Sequence, residues 1–462
     1  MPWSAMRKIE ARWTVLRRFA ISCVCVVLAV PAVARTRPHY GGVLHVETAG
    51  DAWQRPGGLA RRLVLDGLTT LDARGTVRPA LATEWSADNN GHRWQFRLRP
   101  DVHFHDGTLL TAVNAVAALQ TACTTACPWQ QLRAVGSSVV FVSDGPMPNL
   151  PALLAGDEFL LALTIGADGK AAGGNVGTGP FQVTGFANGV LTLTANETCW
   201  HGRPYADSIE LRVHRAVRDQ WLDLSVGRAD VVEVPAEMLR QAQQQKLDVV
   251  TRQDASLLVL DVNEAGPLAN GTLRAALSVA LDRATLANVI YQKQGEAAAS
   301  LVPQSKSGYA FLFPVEQDMN KAHELRGGLS TPPLTMNAEG DGAMQVAAQR
   351  IALDLRAAGF TVQMTAASVQ HTNLVLRLLP LEGGTAATVL DTALRAAGEP
   401  MAAAGDEPAA LYRAERAVLE QHRVIPLVVL PRAYAVGARV RDLRMNANGV
   451  PGLADVSLED AQ

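Results

Sequence analysis

Apolar and polar positions change period repeatedly along this chain, and each change marks an element. "RWQFRLRP" (93–100) alternates as a half-buried strand does. "LTAVNAVAALQTAC" (110–123) repeats at helical spacing, with Thr111 placed to cap it. "FQVTGFANGVLTLTAN" (181–196) sets two strand-like runs around Asn188-Gly189, a hairpin signal. "GGVLHVETAG" (41–50) predicts a strand entering a loop, and "LARRLVLDGLTTLDARG" (59–75) a helix followed by a turn at Asp72–Gly75. "SIELRVHRAV" predicts a strand, "RDQWLDLSVGRADVVEV" a helix into a strand across Gly227, and "LLVLDVN" (257–263) a short buried strand. "TLRAALSVALDRATLANVIY" (272–291) is the clearest amphipathic helical stretch. "AMQVAAQRIALDLRAAGFTVQM" and "EPAALYRAERAVLEQHRVIPLVVL" continue the alternation of helices and strands, which predicts α/β layers. No internal repeat and no low-complexity linker interrupts it.

Composition adds scale. A chain of 462 residues with 48% hydrophobic and 19% charged positions buries a large core and divides into two or three domains. The first residues differ from the rest. Arg7, Lys8, Arg12, Arg17 and Arg18 precede "FAISCVCVVLAVPAVA" (19–34). A basic head, a short apolar run and an Ala-x-Ala end form a secretory signal with cleavage after Ala34; a lipoprotein anchor ranks second. Removing those bases leaves a net acidic chain, which favours neither nucleic acid nor an anionic membrane surface. Of the remaining cysteines, Cys123 and Cys127 are spaced to close a small loop, by a disulfide or as two buried thiols, and Cys199 stands alone.

"DVHFHDGTLL" (101–110) carries candidate chemistry. His103 and His105 fall on one side of an extended chain, and imidazole is a common metal ligand. Only Asp106 stands nearby as a third ligand. The alternative is a tight turn in which the Asp106 carboxylate accepts from local amides and Gly107 takes positive φ, and the strand before and helix after favour it. No metal or cofactor is called for.

Read in order, these stretches resemble the family-5 extracellular solute-binding proteins, the peptide/nickel group of ABC importer receptors. The resemblance rests on "LVLDGLTTLDARGTVRPALATEW", "WQFRLRPDVHFHDGTLLTAVNAV", "GTGPFQVTGF" (177–186), "NETCWHGRPYADSIELRV" (196–213), "LSVGRADVVEVP" (224–235), "LRAALSVALDRATLANVIY" and "VIPLVVLPRAYAVGARVRDLRMNANG" (424–449). It implies an α/β, two-lobed periplasmic-binding-protein fold of type II, with an extra subdomain in lobe one. The implied limits are a signal peptide at 1–34, lobe one at 35–60, 176–260 and 431–462, the subdomain at 61–175, and lobe two at 261–430. It further implies a monomeric periplasmic receptor without enzymatic activity. Such a receptor closes on a small-molecule or peptide ligand and docks on ABC permease subunits. Thr48 and Trp53 after the first strand, Asn263 at the end of "LLVLDVN", and Tyr309 in "SGYAFLF" are the implied ligand-facing residues.

The chain departs from the family pattern in three places. "TAGDAWQRPGG" (48–58) keeps little of the usual leucine-aspartate-proline segment, and Cys199 stands where tyrosine is common. The stretch 376–407 has no Trp, Tyr or Phe, and Asp391 is its only aspartate before Asp406. A cleft wall of that kind predicts a ligand smaller or less peptide-like than a typical family peptide. Two rival readings are a receptor-like sensor or scaffold that has lost transport, suggested by the short second lobe, and a secreted hydrolase. For the latter there is neither a Gly-x-Ser-x-Gly elbow nor a His-Glu-x-x-His helix.

Overall fold

The computed structural model describes residues 39–51, 53, 58–123, 127–164, 175–310, 312–329, 331–340, 342–366, 372–400, 405–447 and 449–459. The expected signal peptide lies outside them. Among the described residues, no helix is long and apolar enough to cross a membrane.

Two long antiparallel strands, Asp248–Val262 and Val424–Val436, carry one eleven-stranded sheet from one lobe to the other. At the lobe-one end, the sheet continues through Val231–Val234, Val43–Glu47, Ser208–Arg212 and the hairpin Phe181–Ala187/Val190–Ala195. Asn188 and Gly189 both take positive φ at the hairpin's turn, the geometry that makes Asn-Gly the preferred pair there. At the lobe-two end it continues through Leu374–Pro380, Leu334–Ala338 and Val362–Met364.

Burial follows the pleat. Leu258, Leu260 and Val262 pack into one lobe-two cluster with Leu277, Ile351 and Leu376, while Leu257 and Val259 pack into another with Leu379, Leu390 and Leu411. A strand covered on both faces reads as a near-continuous apolar run, which is why "LLVL" (257–260) does not alternate. Val249 and Val250, earlier on the same strand, pack instead against lobe-one clusters.

Between these regimes the ladder breaks. Arg252 pairs with Arg432 and Ser256 with Leu430, so Gln253, Asp254 and Ala255 face the single residue Pro431. Proline has no N–H to give the ladder, and the bulge opposite it, with Asp254 at φ 52°, absorbs the mismatch.

A third cluster lies beside lobe one. Strands Ala82–Ala87, Arg93–Leu98, Ser138–Val142 and Gln131–Val135 form a four-stranded sheet. It packs with helix Ala112–Ala122 around Phe96, Trp129, Phe141 and Phe159. Thr111 caps that helix in a reciprocal box with Asn114. Cys123 and Cys127 are disulfide-bonded just beyond its end.

Two stretches differ from their sequence reading. In 59–75 the helix is only Arg61–Val64, and the chain then forms a short hairpin, Thr69–Leu71 with Val77–Pro79. Gly67 there presses on the Leu154 and Thr69 carbonyls with no room for a Cβ, an approach a continuing helix would forbid. In 272–291 the helix stops at Ala280. Leu281 is extended, and Asp282 restarts the chain by accepting from the Thr285 amide at 2.9 Å, as an N-cap does.

The histidine turn is resolved by its hydrogen bonds. The Thr108 amide and hydroxyl both donate to Asp106, each at 2.9 Å, and Gly107 has φ 85°. His103 is exposed. His105 instead bonds the 177–179 loop: its Nδ1 accepts from the Gly177 amide at 3.3 Å and its Nε2 donates to the Gly179 carbonyl at 3.0 Å. The turn therefore fastens the subdomain to lobe one, and burial holds His105 below the usual imidazole range.

Candidate ligand-binding cleft

A cavity of about 470 Å³ lies where the two lobes and the subdomain meet. Its lobe-one wall begins where Val43–Glu47 ends. Thr48 turns the chain over the sheet edge: its amide donates to Arg212 O at 3.0 Å, and its Oγ1 accepts from the Gly50 amide at 3.2 Å. The Ala49 amide donates to Glu233 at 2.7 Å, which holds this loop against strand Val231–Val234. Arg432, beside the bulge, completes that wall.

The subdomain contributes Leu153 and Gly156–Phe159. Asp157 is 1% exposed and ion-paired with Arg62. Lobe two contributes strand Leu374–Pro380, the loop after it and helix Ala386–Ala396, through Arg377, Leu378, Pro380, Glu382, Thr392 and Arg395. Arg377 pairs with Asp261; burial pushes that carboxyl up to about 6, and the arginine pulls it back.

Glu382 is the most unusual group in the wall. It is 4% exposed. One oxygen accepts a long bond from the Asp157 amide, 3.5 Å, and Oε1 has no partner. Burial, reinforced by the Asp157 charge, pushes its carboxyl well above the usual carboxylate range, against the pull of Arg62 and Arg432.

Lobe two and the subdomain also touch directly. Arg395 reaches Glu158 at 2.6 Å and lies over the Phe159 ring at 5.2 Å. Asn149 donates to Asp391 at 3.2 Å. Gly384 packs so tightly on the Gly75 carbonyl that a Cβ there would collide with it. These contacts shut one side of the cavity.

The residues singled out from sequence are dispersed. Thr48 lines the cavity. Trp53, half-buried, packs on the lobe-one core. Asn263 lies at the far end of the crossing strand, where its Oδ1 accepts from the Ala265 amide at 3.0 Å and a separate hollow opens. Tyr309 sits in another lobe-two hollow and donates to Glu415 at 2.8 Å. Asp391 is buried in its helix and is absent from the cavity lining. Arg377, Glu382, Arg395, Arg432 and Glu233 were not singled out. Their available signal was ionisable residues inside otherwise apolar strands and an alanine-rich helix. Among the described residues, no group of His, Cys, Asp or Glu is arranged to hold a metal ion.

The model for bacterial extracellular solute-binding proteins, family 5, matches residues 76–377. The chain belongs to this family. Among curated family-5 relatives, a probable di/tripeptide-binding protein 5 of Pseudomonas aeruginosa is 23% identical over 343 residues, 64% of this chain and 65% of that protein. The oligopeptide-binding protein AppA of Bacillus subtilis is 25% identical over 278 residues, 55% of this chain and 50% of that protein. The chain thus matches two thirds or less of the length of these relatives. Solved structures share the fold across nearly the whole chain. The periplasmic binding protein AgaA of A. tumefaciens R10, in complex with agropinic acid, has a TM-score of 0.79 at 18% identity, covering 91% of this chain and 99% of that one. NikA of Staphylococcus aureus, in complex with Ni(L-His)2, has a TM-score of 0.76 at 16% identity, covering 90% and 100%. The family-5 fold is therefore the two-lobed, type II arrangement described above.

Proposed function

We propose that this family-5 chain is the exported solute-binding receptor of an ABC importer and captures a small, charged solute between its lobes. The supporting observation is the cavity itself: both lobes and the subdomain wall it, and ionisable side chains face it from every side. A volume of about 470 Å³ suits a compact ligand, within the range of roughly 300–1,000 Å³ common for small-molecule sites. A solute touching both lobes gains all of its contacts only when they are together, so binding shifts the population toward closure. The bulge at 252–256 opposite Pro431 is the hinge in this reading, which sets the lobe limit a few residues ahead of 260. The closed form then presents one surface to a membrane permease, and the receptor works as a periplasmic monomer.

Glu382 supplies the discriminating contact. A buried carboxyl with an unused oxygen is costly unless something completes its hydrogen bonds. A ligand ammonium, amide or hydroxyl would do so, and an ammonium would also draw off its proton. Thermal melting against a panel of amino acids, di- and tripeptides, opine-type conjugates and nickel–histidine tests the reading. One class should raise the melting temperature by several degrees and shrink the radius of gyration in solution scattering. A panel without any such response would overturn it.

A further inference from the structure

Two glycines from different parts of the molecule meet beside the cleft. Gly75 lies in the turn of the subdomain hairpin, and Gly384 in the lobe-two loop after Glu382. A Cβ on Gly384 would overlap the Gly75 carbonyl oxygen, and one on Gly75 would stand 2.7 Å from the Gly384 Cα. Ordinary non-bonded contact begins near ~3.5 Å. Gly75 has φ 79°, so its own turn already calls for glycine. Gly384 does not have a positive φ. Its backbone is one that other residues adopt, and only the turn across the contact forbids them.

Both sides are stiff. In the hairpin turn, Asp72 accepts from the Arg74 and Thr76 amides and from Arg78 Nε, each at 2.9 Å, and the Gly75 amide donates to the Asp72 carbonyl at 2.8 Å. Leu71, at its base, packs with Ala155 and Ala447. On the lobe-two side, Thr385 and Thr388 form a capping box, each hydroxyl accepting from the other residue's amide at 3.4 and 3.0 Å. Lys306 Nζ donates to the Gly383 carbonyl at 3.3 Å. Neither turn can flex to admit a methyl group without losing these bonds.

The subdomain is fastened to lobe one through His105, so rotation of lobe two about the bulge at 252–256 must part Gly75 from Gly384. The pairs Arg395–Glu158 and Asn149–Asp391 and the Asp157 amide's bond to Glu382 lie along the same seam. All of these are contacts of protein with protein. They favour the closed form before a solute arrives as well as after.

We propose that the subdomain is a partner in closure: its Gly75 turn is the seat on which the 383–384 loop of lobe two lands, and the fit of glycine on glycine keeps the closed form populated without solute. The inference rests on the receptor reading above and gives the subdomain a role in it. A solute that binds only the closed form loses apparent affinity as the closed fraction falls. Residues outside the cavity thereby set how tightly it binds.

The test uses the full mature protein with spin labels on Val135→Cys in the subdomain and Leu353→Cys in lobe two, both exposed positions. Cys199 is buried, and Cys123 and Cys127 are disulfide-bonded. Without solute, double electron–electron resonance should show a short-distance, closed population in this background. Gly384→Ala should abolish it and lengthen the mean distance by several ångström. Gly75→Asn, which tolerates positive φ but adds a Cβ, should do the same from the other side. The double variant should open no further than either single one, because both remove one contact. Gly145→Ala, whose Cβ meets nothing within 4 Å, should change nothing. Panel solutes that bind the wild type should bind Gly384→Ala at least tenfold more weakly, while its melting temperature stays close to wild type. A large drop in melting temperature would mean that the contact holds the fold rather than the hinge, and would overturn the proposal. So would a solute-free wild type without the short distance, or single variants that keep it; the receptor reading then stands if panel solutes still shorten the distance. If the variants open as expected but no panel solute binds, the closure contact stands and the receptor reading falls.

Discussion

Two of the buried glutamates of lobe two, Glu415 and Glu382, face opposite fates. Glu415, 0% exposed, lies under the Tyr309 hollow and is saturated: the Leu301 and Val302 amides and the Tyr309 hydroxyl all donate to it. Burial raises its carboxyl to about 7, with those donors pulling back. Glu382, 4% exposed, has one long donor and a buried oxygen without a partner. Both burials are costly, but only one is offset inside the protein. Saturation marks Glu415 as part of the scaffold, fixing strand Glu296–Ala297 and its loop against helix Pro408–Leu419. The unpartnered oxygen leaves Glu382 incompletely satisfied within the protein.

The largest effect should follow from emptying the saturated site. Glu415→Ala leaves two amides and a phenol unpaired and should cost about 3 kcal/mol or more, read by urea unfolding, with solute affinity unchanged in whatever fraction folds. A loss of affinity without loss of stability would erase the distinction.

Glu382→Gln should do the reverse, weakening solute binding at least tenfold while stabilising the free protein. The sign follows from linkage. The folded carboxyl lies near 8 against an ordinary value of 4.5, so the folded state binds more protons than the unfolded one between those limits. Wild-type stability is therefore fully present below pH 4.5 and is lost as pH rises toward 8. The Gln variant lacks that loss, so its advantage should grow as pH rises above 4.5 and vanish near pH 4. A pH-independent difference would contradict it.

His105→Gln should cost about 1 kcal/mol through its two backbone bonds. Its folded pKa is depressed, so wild-type stability that is present above pH 6.5 is lost as pH falls below it; the variant's melting should be flatter across that window. Solute affinity should not move. Tyr309→Phe, removing one of three donors to Glu415, should be smallest, about 0.5–1 kcal/mol, without effect on binding.

Much of the fold was legible in the sequence, because helices and strands with one buried face show their period. What failed did so for identifiable reasons. The crossing strand was read as 257–263 because its lobe-one half, "DVVTRQDAS", is neither alternating nor continuously apolar. It spans 15 residues, and Asn263 lies about 23 Å beyond the bulge at 252–256, at roughly 3.3 Å per residue. Thr48 was accessible from sequence because a strand ending at a parallel sheet edge delivers its next residues to the crevice. The stretch 376–407 offers a sequence reader no aromatic residue and, before Asp406, a single aspartate. Its Arg377, Glu382 and Arg395 face the cleft through a strand, a loop and a helix, three periodicities that no one pattern connects. Arg252 and Arg432 are 180 positions apart, and only the ladder register brings them together.

The central claim is that a solute is held in the cleft between lobes, against Glu382 and Arg432. Native mass spectrometry of protein purified gently from its own cells tests it most directly, with wild type beside the Glu382→Gln/Arg432→Gln double variant. The account predicts a discrete small-molecule adduct on the wild type, released on denaturation and absent from the folded double variant. An adduct carried equally by both proteins would contradict it.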